Sequence, residues 1–307
     1  MYRHTHLVSG ALIPEELFKA GEVAKAVKEE VYRLVRPGAS VYELAERVER
    51  IIAEKGARPA FPCNVSIGHV AAHYTPSPGD SSTIPAGSVV KVDIGVEVDG
   101  YIADTAVTVA DSPVGEALRN AAEEALKAAL RVIRDGVKAS EVGNVVYSVA
   151  SRYGFKPIRN LTGHEVARYN LHAGVSIPNV PSMNSSRLLK GRTYAIEPFI
   201  TLREGAGEVV ESGEVTIFRY EHRPKALKGV SAKEAELLNL LAQRFKGLPH
   251  STRWIADMGG EYLALHERLV KTGRIHGYPV LVERLGKPVA QAEHTIVVES
   301  DGVVVLT

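Results

Sequence analysis

Residues 89–106 read VVKVDIGVEVDGYIADTA. The alternation, the Asp99-Gly100 step and the β-rich run after it spell strand, two-residue turn, strand. Two carboxylates, Asp93 and Asp104, stand inside those strands. Aspartate is depleted in strands, and a buried charge must be paired or bound. If Asp99-Gly100 is a two-residue turn, Gly95 lies opposite Asp104. Asp93 then shares the face of Gly95 and sits diagonal to Asp104, with backbones about 7–8 Å apart. Two acid side chains can close that gap onto a shared ion, and Gly95 leaves room between them. The other face of the strand, Val90, Val92, Ile94, Val96 and Val98, is apolar and turns to a core. A three-residue loop would shift the register by one and separate the acids. Like charges this close leave two options: one binds a proton, or a cation neutralises both.

The surrounding chain repeats a plan. Residues 14–35 carry apolar positions at helical spacing, with Pro14 in the first turn and Pro37-Gly38 as the stop. Ser40 and Glu43 form a capping-box pair that opens a second helix, and Gly56 closes it. Helical patterns return over 113–134, with Ser112 as cap, and over 140–153. Strands are expected near 193–201 and 213–220, and a charged, Leu-rich helical block over about 225–272. The chain closes on QAEHTIVVESDGVVVLT, a strand, an Asp-Gly turn and a strand. Residues 35–59 align without gaps on 133–157. Arg36/Arg134, Gly38/Gly136, Glu43/Glu141, Val48/Val146, Gly56/Gly154 and Pro59/Pro157 are identical. Both glycines and the proline fall at element ends, where backbone geometry demands them. Continuing the alignment sets Asp93 opposite Glu197 and Asp104 opposite Glu293. The two halves therefore carry acids at equivalent places, and the helical block has no counterpart in the first half.

Four inward acids need a cation. Histidines supply nitrogen: LTGHEVARYNLH (161–172) holds His164 and His172, and AAHYTP holds His73. Gly163 lets the backbone approach closely beside His164. His4, His6, His69, His222, His250, His266 and His276 read as surface or structural. His294 points away from Glu293 if that stretch is a strand. The set Asp93, Asp104, His164, Glu197 and Glu293 is oxygen-rich, with one nitrogen. It suits two first-row divalent ions such as Mn, Fe(II), Co or Zn, and two-metal sites of this kind serve hydrolysis.

The bulk numbers exclude several classes. The chain has 307 residues, 45% hydrophobic, with a formal charge of +1, so no basic field points to DNA. One cysteine, Cys63, rules out an intrachain disulfide. The N-terminal residues lack a long apolar segment and no run of 18 apolar residues occurs, so a soluble, cytoplasmic chain with no membrane partner is expected.

FPCNVSIGHVAAHYTP (61–76), residues 91–109, LTGHEVARYNLHAGVSIPN (161–179), AIEPF (195–199) and QAEHTIVV (291–298) together resemble methionine aminopeptidase of type 2, in its archaeal form. The resemblance runs over nearly the whole chain. It implies an α+β, pseudo-symmetric pita-bread fold: helices packed on a curved, mainly antiparallel sheet, as one catalytic domain over 1–307 with a helical insertion at 222–286. It implies removal of the N-terminal methionine from nascent polypeptides, with the ribosome as a candidate partner and a monomeric state. Two divalent ions per chain would be held by the five residues above, with Asp104 and Glu293 bridging. A bridging hydroxide would attack the first peptide carbonyl, with Glu197 as proton shuttle. His73 and His172 would contact substrate, one of them hydrogen-bonding the carbonyl, and Phe61 would line the methionine pocket. One departure is visible at Gly68-His69, where an Asn-Glu-like pair is expected. Two rivals share the fold: an Xaa-Pro dipeptidase, which carries a further N-terminal domain, and a binding protein that has lost its metal ligands.

Overall fold

The computed structural model describes residues 5–8, 11–221 and 229–307; His4 and His222 lie outside them. The chain opens with β1 (Thr5–Val8) and β2 (Ala11–Pro14), paired antiparallel. Helices α1 (Glu15–Leu34) and α2 (Val41–Glu54) follow, then β3 (Arg58–Ile67), β4 (Val70–Ala72), β5 (Val89–Val98) and β6 (Tyr101–Ala110). The second half begins with α3 (Pro113–Val132) and α4 (Ala139–Arg152). It continues with β7 (Lys156–Pro157), β8 (Thr162–Val166), β9 (Ser176–Pro178), β10 (Thr193–Ile196), β11 (Phe199–Thr201) and β12 (Val209–Arg219). Then come α5 (Ala232–Phe245), β13 (His250–Ser251), a 3-10 helix (Thr252–Met258) and α6 (Gly260–Lys271). The last strands are β14 (His276–Glu283), β15 (Val289–Gln291), β16 (His294–Val298) and β17 (Val303–Val305).

The duplication is visible in the backbone. α1 and α3 both have 20 residues, α2 and α4 both have 14, and each pair is offset by the same step along the chain. Gly38 and Gly136 lie in the turn between the two helices of each half, four residues past the end of the first, and take the left-handed region at φ 80° and 78°. Each donates its N–H across a tight crossing, to Ile84 O and to Leu188 O, both at 2.8 Å. A side chain at these φ values would be strained, which is why glycine recurs in both. Ser40 Oγ accepts the Glu43 N–H, and Ser112 Oγ accepts that of Gly115, so both capping serines act as expected.

Each half packs its two helices on its own sheet. Val27, Val31, Leu44, Val48 and Ile52 meet Val92, Ile94 and Val96 in the first core. Leu118, Ala122, Val142 and Val146 meet Tyr194, Ile196 and Ile296 in the second. The sheets run β3-β5-β6 in the first half and β17-β16-β10-β8-β9 in the second, all antiparallel. This is the α+β, pseudo-symmetric pita-bread arrangement.

Three local expectations change. The single strand over 193–201 is two strands in two sheets, because Pro198 has no N–H to continue the ladder; Glu197 sits at the break. The C-terminal hairpin closes through the four residues 299–302 rather than two, with Glu299 N–H donating to Gly302 O. The block at 222–286 is not all helix. α5, the 3-10 helix and α6 pack around Leu237, Leu241 and Leu269, but β14 returns to pair with β12 and β4.

Candidate metal centre

The central hairpin forms with the two-residue turn. Asp99 and Gly100 both take positive φ, 47° and 82°, as a hairpin turn of this length requires. Gly95 pairs with Asp104 and Asp93 with Ala106, the register that sets both acids on one face. The space above Gly95 is filled differently from expectation. β3 brings Phe61 opposite Gly95, and a Cβ there would collide with the Phe61 ring. The glycine makes room for an aromatic wall rather than for an ion.

The second pair of acids is stapled to the first. Thr105 Oγ1 donates to Glu293 O at 2.8 Å, and Glu293 N–H donates to Ala106 O at 3.2 Å. Thr295 Oγ1 accepts the Asp104 N–H and donates to Asp104 O, both at 2.7 Å. Glu197 arrives from the break after β10. His164 comes from β8, next to Ala195 on β10, where Gly163 allows close contact with Ala195 O. His164 Nε2 is 3.6 Å from Asp104 Oδ2 and 3.5 Å from Glu197 Oε1. Asp104, His164 and Glu293 each offer a ligand atom, all within 4.8 Å of one another, and all three residues are buried. Asp93 joins them at the floor of a cavity of about 320 Å³ that Glu197, His73, His172 and Phe61 also line.

Burial dominates the electrostatics. It raises the Asp93 carboxyl to about 7. It lifts Asp104, Glu197 and Glu293 well above the carboxylate range, and their mutual repulsion adds to this. The basic group beside Asp104 and Glu197 is His164, and burial pushes it down to about 3, so it is neutral at pH 7. Asp93 Oδ1 is buried with no hydrogen-bond partner. Carboxylates crowded around a neutral imidazole, with an orphaned oxygen among them, fit a divalent cation.

The other histidines divide clearly. His73 sits at φ 66° and donates its Nδ1–H to Pro279 O at 3.2 Å, with its ring edge-on to Tyr278. His172 stands edge-on to His164, ring centres 4.4 Å apart. Burial lowers both, His172 to about 4. His294 turns to Lys28 and Thr307. His250 and His266 form a buried pair inside the insertion. His69 and His276 are exposed. Sequence reasoning missed Gln291, whose Nε2 reaches Glu197 Oε2 at 3.2 Å and Glu293 Oε2 at 3.5 Å. The signal was present: Gln291 is two residues before Glu293 in an extended run, so the two share a face. Tyr278, which packs on His73 from β14, had no such signal.

With this geometry in hand, the chain can be set beside known proteins. A model of metallopeptidase family M24 matches residues 15–231. The methionine aminopeptidase of Thermococcus onnurineus is 46% identical over 298 residues, covering 95% of this chain and 99% of that protein. A crystal structure of methionine aminopeptidase from Thermotoga maritima aligns with a TM-score of 0.69 at 22% identity, over 99% of both chains. A structure of a thermophilic Arx1 aligns with a TM-score of 0.82 at 18% identity, over 95% of this chain and 89% of that one. At such identities the two structures bear on the fold alone. The chain belongs to metallopeptidase family M24. It is a metal-dependent aminopeptidase, a hydrolase whose acids and His164 converge as that chemistry requires.

Proposed function

We propose that this chain removes the N-terminal methionine from nascent proteins and peptides, with two divalent ions held by Asp93, Asp104, His164, Glu197 and Glu293. The observation that carries the reading is the convergence of acids from both halves on one neutral histidine in a buried cavity. Five side chains with one nitrogen among many oxygens suit Mn, Fe(II), Co or Zn. When bound, such ions acidify water and polarise a carbonyl.

The protein's own groups do the rest. Glu197, which lines the cavity beside His164, would take a proton from the attacking water and return it to the leaving amine. His73 has a fixed tautomer. Its Nδ1–H is committed to Pro279 O and burial keeps the ring neutral, so Nε2 carries a lone pair and accepts from a substrate N–H. That leaves His172 to donate to the carbonyl oxygen as negative charge develops there. Phe61, Leu171 and Ile217 give the cavity an apolar wall, which suits a methionine side chain.

We read residues 1–307 as one catalytic unit, with 222–286 as its insertion. It works as a cytoplasmic monomer on chains emerging from the ribosome. Among the described residues no helix is long and apolar enough to cross a membrane. The test is to load the protein with Mn or Co and assay Met-Ala-Ser against Met-Pro. Release of methionine from Met-Ala-Ser is expected; cleavage of Met-Pro alone would replace this reading with an Xaa-Pro dipeptidase. Anomalous scattering from a loaded crystal should give two peaks about 3.5–4 Å apart.

A further inference from the structure

Lys91 lies on β5, two residues before Asp93, and is 1% exposed. Lysine is almost never buried this fully unless paired. The partners of Lys91 are two main-chain carbonyls: Nζ donates to Val289 O at 2.8 Å and to Gly68 O at 3.4 Å. A methionine of similar volume would pack at this depth with no polar group to satisfy, so the donors themselves need a reason.

Both carbonyls belong to segments that lead to the site. Gly68 forms a left-handed turn, φ 61°, between β3 and β4, and β4 ends one residue before His73. Val289 opens β15, whose last residue, Gln291, reaches Glu197 and Glu293. The Gly68 carbonyl also accepts the Val289 N–H, at 3.0 Å, so turn and strand already touch where Lys91 arrives. β5 itself carries Asp93, on the same face as Lys91. One amine thus joins the three segments that deliver Asp93, His73 and Gln291.

We propose that Lys91 is a positioning residue for the metal centre, holding the strand of Asp93, the turn leading to His73 and the strand leading to Glu293 in one register. This rests on the metal-centre reading above. Outer partners that orient ligands typically account for roughly 10–100-fold in metal affinity or activity.

Lys91→Met keeps the stem and removes the donors. Its melting temperature, its kcat and KM on Met-Ala-Ser, and its calorimetric affinity for Mn should be compared with those of the unaltered protein. The expected result is a folded protein with roughly 10–100-fold weaker ion binding and a matching fall in kcat, KM being little changed. Ion affinity and kcat equal to those of the unaltered protein would overturn the proposal. If Lys91→Met does not fold, Lys91→Ala with n-butylamine decides. Amine that raises kcat and ion affinity, saturably and without raising the melting temperature, supports positioning. Amine that restores stability and activity in parallel, or neither, assigns a plain structural role and overturns it. Should the unaltered protein bind Mn but cleave nothing, the functional reading fails, while the ion-affinity comparison still tests Lys91.

Discussion

The two halves place equivalent acids by different means. Asp93 and Asp104 are eleven residues apart on one hairpin, whose ladder runs unbroken from Val89 to Ala110. Glu197 and Glu293 are ninety-six residues apart, with the insertion between them. Neither lies within a strand: Glu197 sits at the Pro198 break and Glu293 between β15 and β16. The first pair is fixed by its own backbone. Glu293 is fixed by bonds to the first half, through Thr105 and Ala106, and Glu197 by bonds within its own half, from Asn179 to its carbonyl and from Gln291 to its carboxylate. The duplicated frame supplies carboxylates symmetrically, while His73, His164 and His172 come from segments outside the aligned stretches. Function lives where the halves differ.

The largest effect should be blind to that difference. Asp104→Asn and Glu293→Gln, one from each half, should each lower kcat/KM by roughly 1000-fold or more, beyond the 10–100-fold of outer-shell changes. Each should also raise the melting temperature of the metal-free protein, by about 2–4 °C for a gain near 1 kcal/mol, because a repelling, desolvated carboxyl is removed. A loss of activity with a lower metal-free melting temperature would mean that these acids support the fold instead.

The helices offer a sharper asymmetry. α2 and α4 are equivalent, and among the described residues α2 anchors the insertion through its side chains. Glu49 holds Arg253 through two bonds, at 2.7 and 2.9 Å, and also accepts Trp254 Nε1–H at 2.7 Å. Arg253 also reaches Glu46, Thr75 Oγ1 and Pro76 O. The Arg253 side chain is 1% exposed and that of Glu49 9%. Arg253→Met strands the buried Glu49 charge and should cost about 3–5 kcal/mol in urea unfolding. Tyr147, the counterpart of Glu49 on α4, is 45% exposed, and Tyr147→Ala should change stability by less than about 0.5 kcal/mol. Similar costs for the two would erase the asymmetry.

A milder break uses pH. His250 Nε2 and His266 Nε2 are 3.0 Å apart, so only one of the facing nitrogens can carry a proton. Burial lowers His266 to about 4 and His250 well below its ordinary value. Both folded values lie below the ordinary 6.5, so the unfolded chain takes up protons first as pH falls. The stability that a neutral His266 allows at pH 7 is therefore lost between about 6.5 and 4, on the order of 1–2 kcal/mol at pH 5, and His250 acts in the same direction. His266→Met should flatten the fall in melting temperature between pH 7 and 5; an unchanged slope would place the acid sensitivity elsewhere.

Much of this was legible in the sequence, and unevenly. The hairpin could be read because Asp-Gly names its turn and the turn fixes the register of Asp93 against Asp104. The duplication could be read because Gly38/Gly136 and Gly56/Gly154 answer a backbone demand that recurs in both halves. The short strands β7, β8, β9 and β13 could not, since two to five residues carry no period and their pairing is decided by distant partners. Phe61 over Gly95 and Arg253 on Glu49 were hidden for a related reason. Each joins segments far apart in sequence, and no local pattern encodes which side chain will fill a given space.

The smallest effect is a several-fold change in ion affinity, and it tests the staple between the halves. Thr105 Oγ1 is buried and donates to the Glu293 carbonyl. Thr105→Val keeps the shape and leaves the carbonyl without this donor, so stability should fall by about 1–3 kcal/mol. Val107, on the same face of β6, reaches no such partner, and Val107→Ala should cost stability through lost packing alone. The distinguishing measurement is ion affinity. If the second acid pair depends on the first, Thr105→Val weakens Mn binding several-fold at equal stability loss, and Val107→Ala does not. If both leave ion affinity unchanged, Glu293 is held by its own strand, and the second half positions its acids without help from the first.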